Sequence, residues 1–158
     1  MIYDGGKKKI SLVVDQDLSA KAKDILENHI KGLPVPKKLE LATRGNKDVR
    51  MILAKDGNKV VARAVITSPI LTEEEVIIFA QSPTVNEEIL RYIAGNNKMN
   101  ANRRVITALC NNPRTPVGTV FKFLPRLDLR ELKALSKNRN VSVAVSSQAK
   151  LIVAQKMR

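Results

Sequence analysis

The sequence predicts an all-α domain of short stacked helices, a right-handed α-solenoid, preceded by a small N-terminal extension. The first observation is a recurring seven-residue motif: a large apolar residue, usually a small one next, then polar residues and a breaker such as Gly, Pro or Asn. This order is typical of a helix end followed by a turn. The copies begin at Leu41, Leu53, Val65, Phe79, Ile93, Leu109 and Leu135.

The spacing and the composition are the second and third observations. The motifs begin 12, 12, 14, 14, 16 and 26 residues apart, so every second copy as far as Leu109 lies about two dozen to thirty residues on, which is the length of a stacked helix pair. Hydrophobic residues make up 44% of the 158 residues but aromatic residues only 3%, so Leu, Ile, Val and Ala must build the core. Small aliphatic side chains suit thin, closely stacked helices.

The N-terminal extension is predicted to comprise residues 1–36. Residues 10–14 are β-branched and short, which indicates a strand or an extended lead-in. Asp17 is a candidate N-cap for a helix over about 18–30, because apolar residues recur there on one side. Residues 32–36 contain one Gly and two Pro and predict a break before a helical repeat domain at 37–158.

From residue 37 onward the sequence predicts helices only. Thr72 and Glu75 have the spacing of a capping box, Asp128 and Glu131 have a similar spacing, and Pro116 is expected at a first helical position. Helices of two to four turns are unstable alone, so each must bury its apolar side, including the first residue of each motif, on its neighbours. The predicted spans are 37–44, 47–55, 58–67, 72–81, 86–95, 101–111, 116–124, 128–137 and 141–155.

The motifs, together with the run Asn-Asn-Pro-Arg-Thr-Pro at 111–116, resemble those of HEAT-like and leucine-rich-repeat-variant α-solenoids, especially small bacterial repeat proteins. The resemblance extends over about 41–155. It implies a helical-repeat fold and says little about function, and the repeat lengths here drift from copy to copy. The leucine-rich variants are associated with an N-terminal cysteine cluster that holds iron and sulfur, which a chain with one Cys does not have.

A second resemblance involves the N-terminus. Residues 9–18, followed by a helix, resemble the first half of a ribbon-helix-helix DNA-binding module. In that family a paired strand enters the major groove and a second helix begins with a polar cap. Here residues 32–36 occupy the place where the second helix would begin, which departs from the family pattern.

Few residues are candidates for catalysis or metal binding. The chain has one Cys, Cys110, and one His, His29, which excludes a disulfide framework and leaves too few ligands for zinc. We expect a packed thiol at Cys110 and a helix-end surface histidine at His29. The glutamates at 73–75 and 87–88 complement helix dipoles. With no nucleophile–base pair apparent, the sequence predicts a non-enzyme without metal or cofactor.

Hydropathy and charge indicate the compartment and the partner. No apolar stretch reaches the roughly 20 residues of a membrane helix, and residues 1–9 do not resemble a signal peptide, so we expect a cytoplasmic protein with no membrane partner. The net charge is +13: residues 1–97 hold 15 basic and 13 acidic side chains, and residues 98–158 hold 13 basic and two acidic ones. Such an uneven distribution predicts a polyanion at the C-terminal part.

Ten basic residues are candidates for this interface. Arg130, Lys133 and Lys137 have i, i+3, i+7 spacing on one helix face, and Arg114 and Arg139 occupy turns that would stack in a solenoid. Arg side chains bind phosphates through two hydrogen bonds. The candidates are Arg103, Arg104, Arg114, Lys122, Arg126, Arg130, Lys133, Lys137, Arg139 and Lys150.

The predicted function is non-enzymatic nucleic-acid binding, with DNA favoured over RNA, through phosphate contacts. Scarce aromatic residues argue against base stacking. One alternative is a protein-interaction scaffold for an acidic or helical partner, and another is a solvated basic surface. Some HEAT-like solenoids are DNA glycosylases, so the resemblance also implies a DNA-repair alternative, for which no catalytic carboxylate can be assigned.

Overall fold

The structure is a computed structural model that describes residues 2–4, 7–9 and 20–158, and its fold is all-α with one short hairpin. Strand β1 (Ile2–Asp4) pairs antiparallel with β2 (Lys7–Lys9), with Ile2 opposite Lys9. The predicted strand at 10–14 and the Asp17 cap lie outside the described residues. The predicted helix after them is present as α1, Ala20–Lys31.

The predicted succession of helices is confirmed, because every helix expected after residue 37 is present with bounds that differ by at most two residues. A 3₁₀ turn, Leu124–Arg126, separates the eighth and ninth helices. The helices after α1 are α2 (Val35–Arg44), α3 (Lys47–Leu53), α4 (Lys59–Ile66), α5 (Glu73–Gln81), α6 (Glu87–Gly95), α7 (Arg103–Asn111), α8 (Val117–Phe123), α9 (Leu129–Ser136) and α10 (Val143–Lys156).

Both predicted capping boxes are confirmed. The Glu75 amide donates to Thr72 Oγ1 (3.2 Å) while the Thr72 amide donates to Glu75 Oε2 (2.7 Å). The Asp128–Glu131 pair repeats this exchange at 2.8 and 2.9 Å. Pro116 differs from its prediction by one position, since it is the N-cap of α8 rather than its first helical residue. Its ψ of 138° is not helical, yet its carbonyl accepts the first helical bond, from the Val120 amide.

The fourth residue of the motif has a specific role that sequence reasoning missed. In five of the seven copies its side chain accepts a hydrogen bond from the amide two residues later, which closes the turn after the helix. These residues are Asp56, Ser82, Asn96, Asn112 and Asn138, with distances of 2.8, 3.3, 3.1, 2.9 and 2.8 Å. The motif is therefore a helix end joined to a turn held by its own polar side chain.

The chain divides into two compact units, Met1–Leu71 and Thr72–Arg158. In the first, α1 packs on α3, and α2 packs on α3 and α4. Residues on either side of position 36 thus pack within one unit, and the predicted domain boundary there stays a prediction. Ile30, Val49 and Val61 are among the core residues of this unit.

A buried ion pair helps to hold the first unit together. Lys38 Nζ in α2 lies 2.7 Å from Asp56 Oδ2 in the turn before α4, and both side chains are only about one-eighth exposed. Burial alone would raise the pKa of Asp56, but the Lys38 ammonium and the Asn58 amide outweigh it and the pKa is lowered. The pair therefore fixes that turn against α2.

In the second unit, alternate helices form a row in which α5 packs on α7 and α7 packs on α9. Helices α6, α8 and α10 pack against this row, and α10 contacts both α9 and α8. Such nearest-neighbour packing is how stacked repeats bury a core that no single repeat could bury. All seven first residues of the motif, in both units, are buried as predicted.

Equivalent positions along the row follow from its caps and core. Thr72, Asn102 and Asp128 are the N-caps of α5, α7 and α9. Each is followed seven residues later by a fully buried residue: Phe79, Leu109 and Leu135. Residues at equal distances from the N-cap therefore correspond across the three helices.

Candidate nucleic-acid interface

The basic residues of α9 hold the same positions that polar residues hold on α7. Counted from the N-cap, Arg130 corresponds to Arg104, Lys133 to Thr107, and Lys137 to Asn111. On α5 the corresponding residues are Glu74, Ile77 and Gln81. The position two residues after the N-cap is therefore Glu in α5 and Arg in both α7 and α9. The other two positions are Lys only in α9. The positive side chains at these positions are therefore concentrated at the α9 end of the row.

A cavity of about 520 Å³ opens on the row beside these residues. One wall comes from α7, and single residues come from α5 and α9. The lining residues are Gln81, Arg103, Arg104, Thr107, Ala108, Asn111 and Glu131.

Much of the polar lining of this cavity is already hydrogen-bonded within the protein. Thr107 Oγ1 lies 3.0 Å from Glu131 Oε1 and 3.1 Å from the Arg103 carbonyl. The Asn111 side chain donates to the Thr107 carbonyl (2.9 Å) and accepts from Asn138 Nδ2 (3.0 Å). A ligand would have to break these bonds, so they favour a structural role for the cavity wall.

Three of the ten candidate residues have internal partners. Arg103 contacts Glu131 (2.6 Å) and Asp128 (3.4 Å), which are the two acidic residues of the segment 98–158. Arg104 pairs with Glu74 at 3.1 Å. Arg126 donates to the Asn100 carbonyl (3.2 Å), with its guanidinium carbon 5.6 Å from the Phe123 ring centroid. Sequence spacing could not show these pairings, because the partners are mostly more than twenty residues apart.

The other seven candidates are exposed, and within the described part of the chain their side chains have no hydrogen-bonding or ionic partner. Arg130 and Lys133 lie on α9 and Lys137 is its C-cap, while Arg114 and Arg139 lie in the turns after α7 and α9. We call these five residues the α9 basic face. Lys122 and Lys150 belong to α8 and α10, outside the row.

The turns that carry Arg114 and Arg139 are stacked by asparagine side chains. Asn138 Nδ2 reaches back to Asn111 Oδ1, and Asn112 Nδ2 reaches back to the carbonyls of Ala80 and Ser82, both at 2.8 Å. Each bond joins a turn to the end of the helix about thirty residues earlier, or to the residue just after that end. Asn112 and Asn138 are both the fourth residue of a motif copy, and nothing in the local sequence predicts that their side chains reach back.

The two units carry nearly the same net charge. Residues 1–71 hold 14 basic and eight acidic side chains, a balance of +6, and residues 72–158 hold 14 and seven, a balance of +7. The uneven charge seen in the sequence is therefore internal to the second unit, where α5 and α6 hold five glutamates. The positions of the charges on the row, and not the net charge of a unit, therefore distinguish a binding site for a polyanion.

The expectations for the thiol and the histidine are confirmed. Cys110 is fully buried, and burial, with a smaller contribution from Glu131, raises the pKa of its thiol to about 12. His29 is exposed in the last turn of α1. Within residues 20–158 no three His, Cys, Asp or Glu side chains cluster as metal ligands would, and none of the described helices is long and apolar enough to cross a membrane.

Comparison with family models, curated proteins and solved structures gave no match to this chain.

Proposed function

We propose that this protein is a non-enzymatic nucleic-acid-binding protein on a HEAT-like helical-repeat scaffold, and that it binds through the α9 basic face. The observation that carries the proposal is the set of three exposed cations on one side of α9, next to two arginines in stacked turns. A cytoplasmic location belongs to the same proposal.

The dimensions of this face suit a phosphate backbone. Arg130 and Lys137 are seven residues apart, so their backbone positions are separated by roughly 10 Å along the helix axis at about 1.5 Å per residue. Lys133 lies between them. Arg114 and Arg139 extend the charge across the adjoining edge with guanidinium groups that bind phosphate oxygens in pairs. Each phosphate bound releases condensed counterions, which drives binding at low salt.

The aromatic residues indicate which nucleic acid is favoured. Phe79 and Phe123 are buried, and the exposed Phe121 lies on α8, outside the row. A face without aromatic rings offers single-stranded bases nothing to stack on. Backbone contact to a duplex is therefore the proposed mode, and DNA rather than RNA is the proposed duplex.

The proposal is tested by fluorescence anisotropy of labelled duplex and single-stranded oligonucleotides at several salt concentrations. The variant Arg130→Gln/Lys133→Gln/Lys137→Gln should bind more weakly than the parent. Its logarithmic salt slope should fall by about 0.9 for each phosphate that the variant no longer binds.

The matched control is Lys21→Gln/Lys47→Gln/Lys59→Gln, which removes the same charge from exposed lysines of the first unit. It should retain most of the affinity. Equal losses in the two variants would show that binding follows net charge and not the α9 basic face. Absence of binding by the parent at low salt would contradict nucleic-acid binding altogether.

One observation favours a second candidate function, a scaffold for an acidic helical partner. Helix α10 exposes Val143 (80%) and Leu151 (57%) on a side that also carries Lys150. No acidic residue lies between positions 132 and 158. Such a partner would bind partly by apolar contact and would be less sensitive to salt than phosphate binding.

A further inference from the structure

We infer that Glu74 competes with the bound nucleic acid for Arg104, so that this ion pair limits how far the contact extends from α9 onto α7. The inference rests on the proposed function, because it assigns a regulated edge to the same face. In this proposal Arg104 binds a phosphate only when it is released from Glu74, whose carboxylate competes with the phosphate for the guanidinium.

The position of Arg104 makes it the neighbour of the α9 basic face. It is the second residue of α7, as Arg130 is the second residue of α9, and α7 packs directly on α9. The axes of packed helices are roughly 8–10 Å apart. A phosphate backbone that contacts Arg130 therefore passes within reach of the Arg104 side chain.

The Arg104–Glu74 pair is of the kind that a phosphate can displace. Arg104 Nη1 lies 3.1 Å from Glu74 Oε1, and the two side chains are 65% and 67% exposed. Water screens such a pair, so breaking it costs the folded protein little. In the structure Arg104 and Glu74 have no other side-chain partner among the described residues.

The adjacent arginine provides the contrast. Arg103 binds Glu131, whose side chain is only 21% exposed and also accepts from the Asp128 amide and the Thr107 hydroxyl. That carboxylate is fixed by the capping box of α9, and Arg103 also contacts Asp128 (3.4 Å) and donates to the Arg126 carbonyl (3.3 Å). Arg103 is therefore held in place. Of the two adjacent arginines, only Arg104 can exchange its carboxylate partner for a phosphate.

When a phosphate binds Arg104, the Glu74 carboxylate loses its cation while remaining next to a second negative charge. This repulsion opposes the contact, so the parent should gain little from Arg104. Removing the charge of Glu74 should make the Arg104 contact favourable and extend the interface by one phosphate.

The experiment compares Glu74→Gln with Glu87→Gln by the same anisotropy titrations. Both are first-turn glutamates of the second unit in exposed ion pairs, but Glu87 pairs with Arg91 on α6, outside the row. We expect Glu74→Gln to bind duplex several-fold more tightly, with a salt slope steeper by about 0.9. Glu87→Gln should show a smaller gain without that change of slope.

A double-variant cycle assigns the effect to Arg104. Arg104→Gln should weaken the parent only slightly, and in the Glu74→Gln protein it should remove the whole gain. Thermal melts of each variant confirm that folding is retained. If Glu74→Gln and Glu87→Gln gain equally, or if the gain survives Arg104→Gln, the competition is refuted while nucleic-acid binding stands. If neither the parent nor Glu74→Gln binds at low salt, both proposals are wrong.

Discussion

Thr115 is a polar residue at a position that neighbouring repeats fill with valine. It follows Leu109 by six residues, as Val85 follows Phe79 and Val141 follows Leu135. Both valines are buried, and Thr115 is 5% exposed with a hydroxyl that has no hydrogen-bond partner within the described residues. An unsatisfied buried hydroxyl costs about 1–3 kcal/mol. The repeat thus tolerates a polar group where its own pattern calls for an apolar one.

We therefore expect Thr115→Val to stabilise the protein by about 1 kcal/mol, because it keeps the shape of the side chain and removes the unpaired hydroxyl. The midpoint of thermal unfolding should rise by roughly 2–4 °C. The control is Thr84→Val in the preceding repeat, where the hydroxyl is exposed and lies 3.2 Å from Ser82 Oγ. A melt in which Thr115→Val is no more stable than the parent would contradict the equivalence of the three positions.

For individual residues, local sequence predicts burial but not the partners of charged side chains. Burial of Leu109 and Leu135 was predictable, because apolar spacing within one helix determines which side faces the core. The pairing of Arg103 with Glu131 was not, because it depends on how α7 packs against α9. The same holds for Arg104 and Glu74, so a list of basic residues did not distinguish engaged cations from free ones.

Among the elements, the helices were predicted well and the contacts between turns were not. Apolar spacing, capping boxes and breakers are local signals, and they placed every helix after residue 37 to within two residues. The stacking of the turns depends on side chains that reach back about thirty residues. In the sequence Asn112 and Asn138 look like ordinary turn residues, whose side-chain oxygen accepts from the amide two residues later. The contact to the earlier repeat is made by the side-chain nitrogen.

Asn112 should consequently be one of the most sensitive turn residues. Its amide nitrogen bonds the Ala80 and Ser82 carbonyls, and its oxygen accepts from the Arg114 amide. Asn112→Ala should leave these buried groups unpaired and destabilise the protein by about 2 kcal/mol or more, measured by denaturant unfolding. Asn97→Ala, at an exposed asparagine between α6 and α7, is the control and should change stability little. Similar unfolding midpoints for the two variants would show that the turns are not held by this side chain.

At the scale of the whole molecule, net charge alone does not say where a polyanion binds. The two units carry +6 and +7, so an explanation based on net charge predicts that both would bind alike. The proposed site predicts otherwise, because the α9 basic face, its stacked turns and the competing Glu74 all lie within residues 72–158. The N-terminal part holds the region that resembles a ribbon-helix-helix module, which is the competing location for DNA binding.

Separate production of residues 1–71 and 72–158 distinguishes these explanations. We expect 72–158, which begins with the intact capping box of α5, to bind duplex with nearly the affinity of the whole chain. Its salt slope should be about 4.5 if all five cations of the α9 basic face contact phosphates. Residues 1–71, with a similar net charge, should bind far more weakly at the same salt. Circular dichroism of each fragment shows whether its helices form. If helical 1–71 binds with the slope of the whole chain and helical 72–158 does not, the site lies in the N-terminal part, and the charges of α9 serve solvation instead.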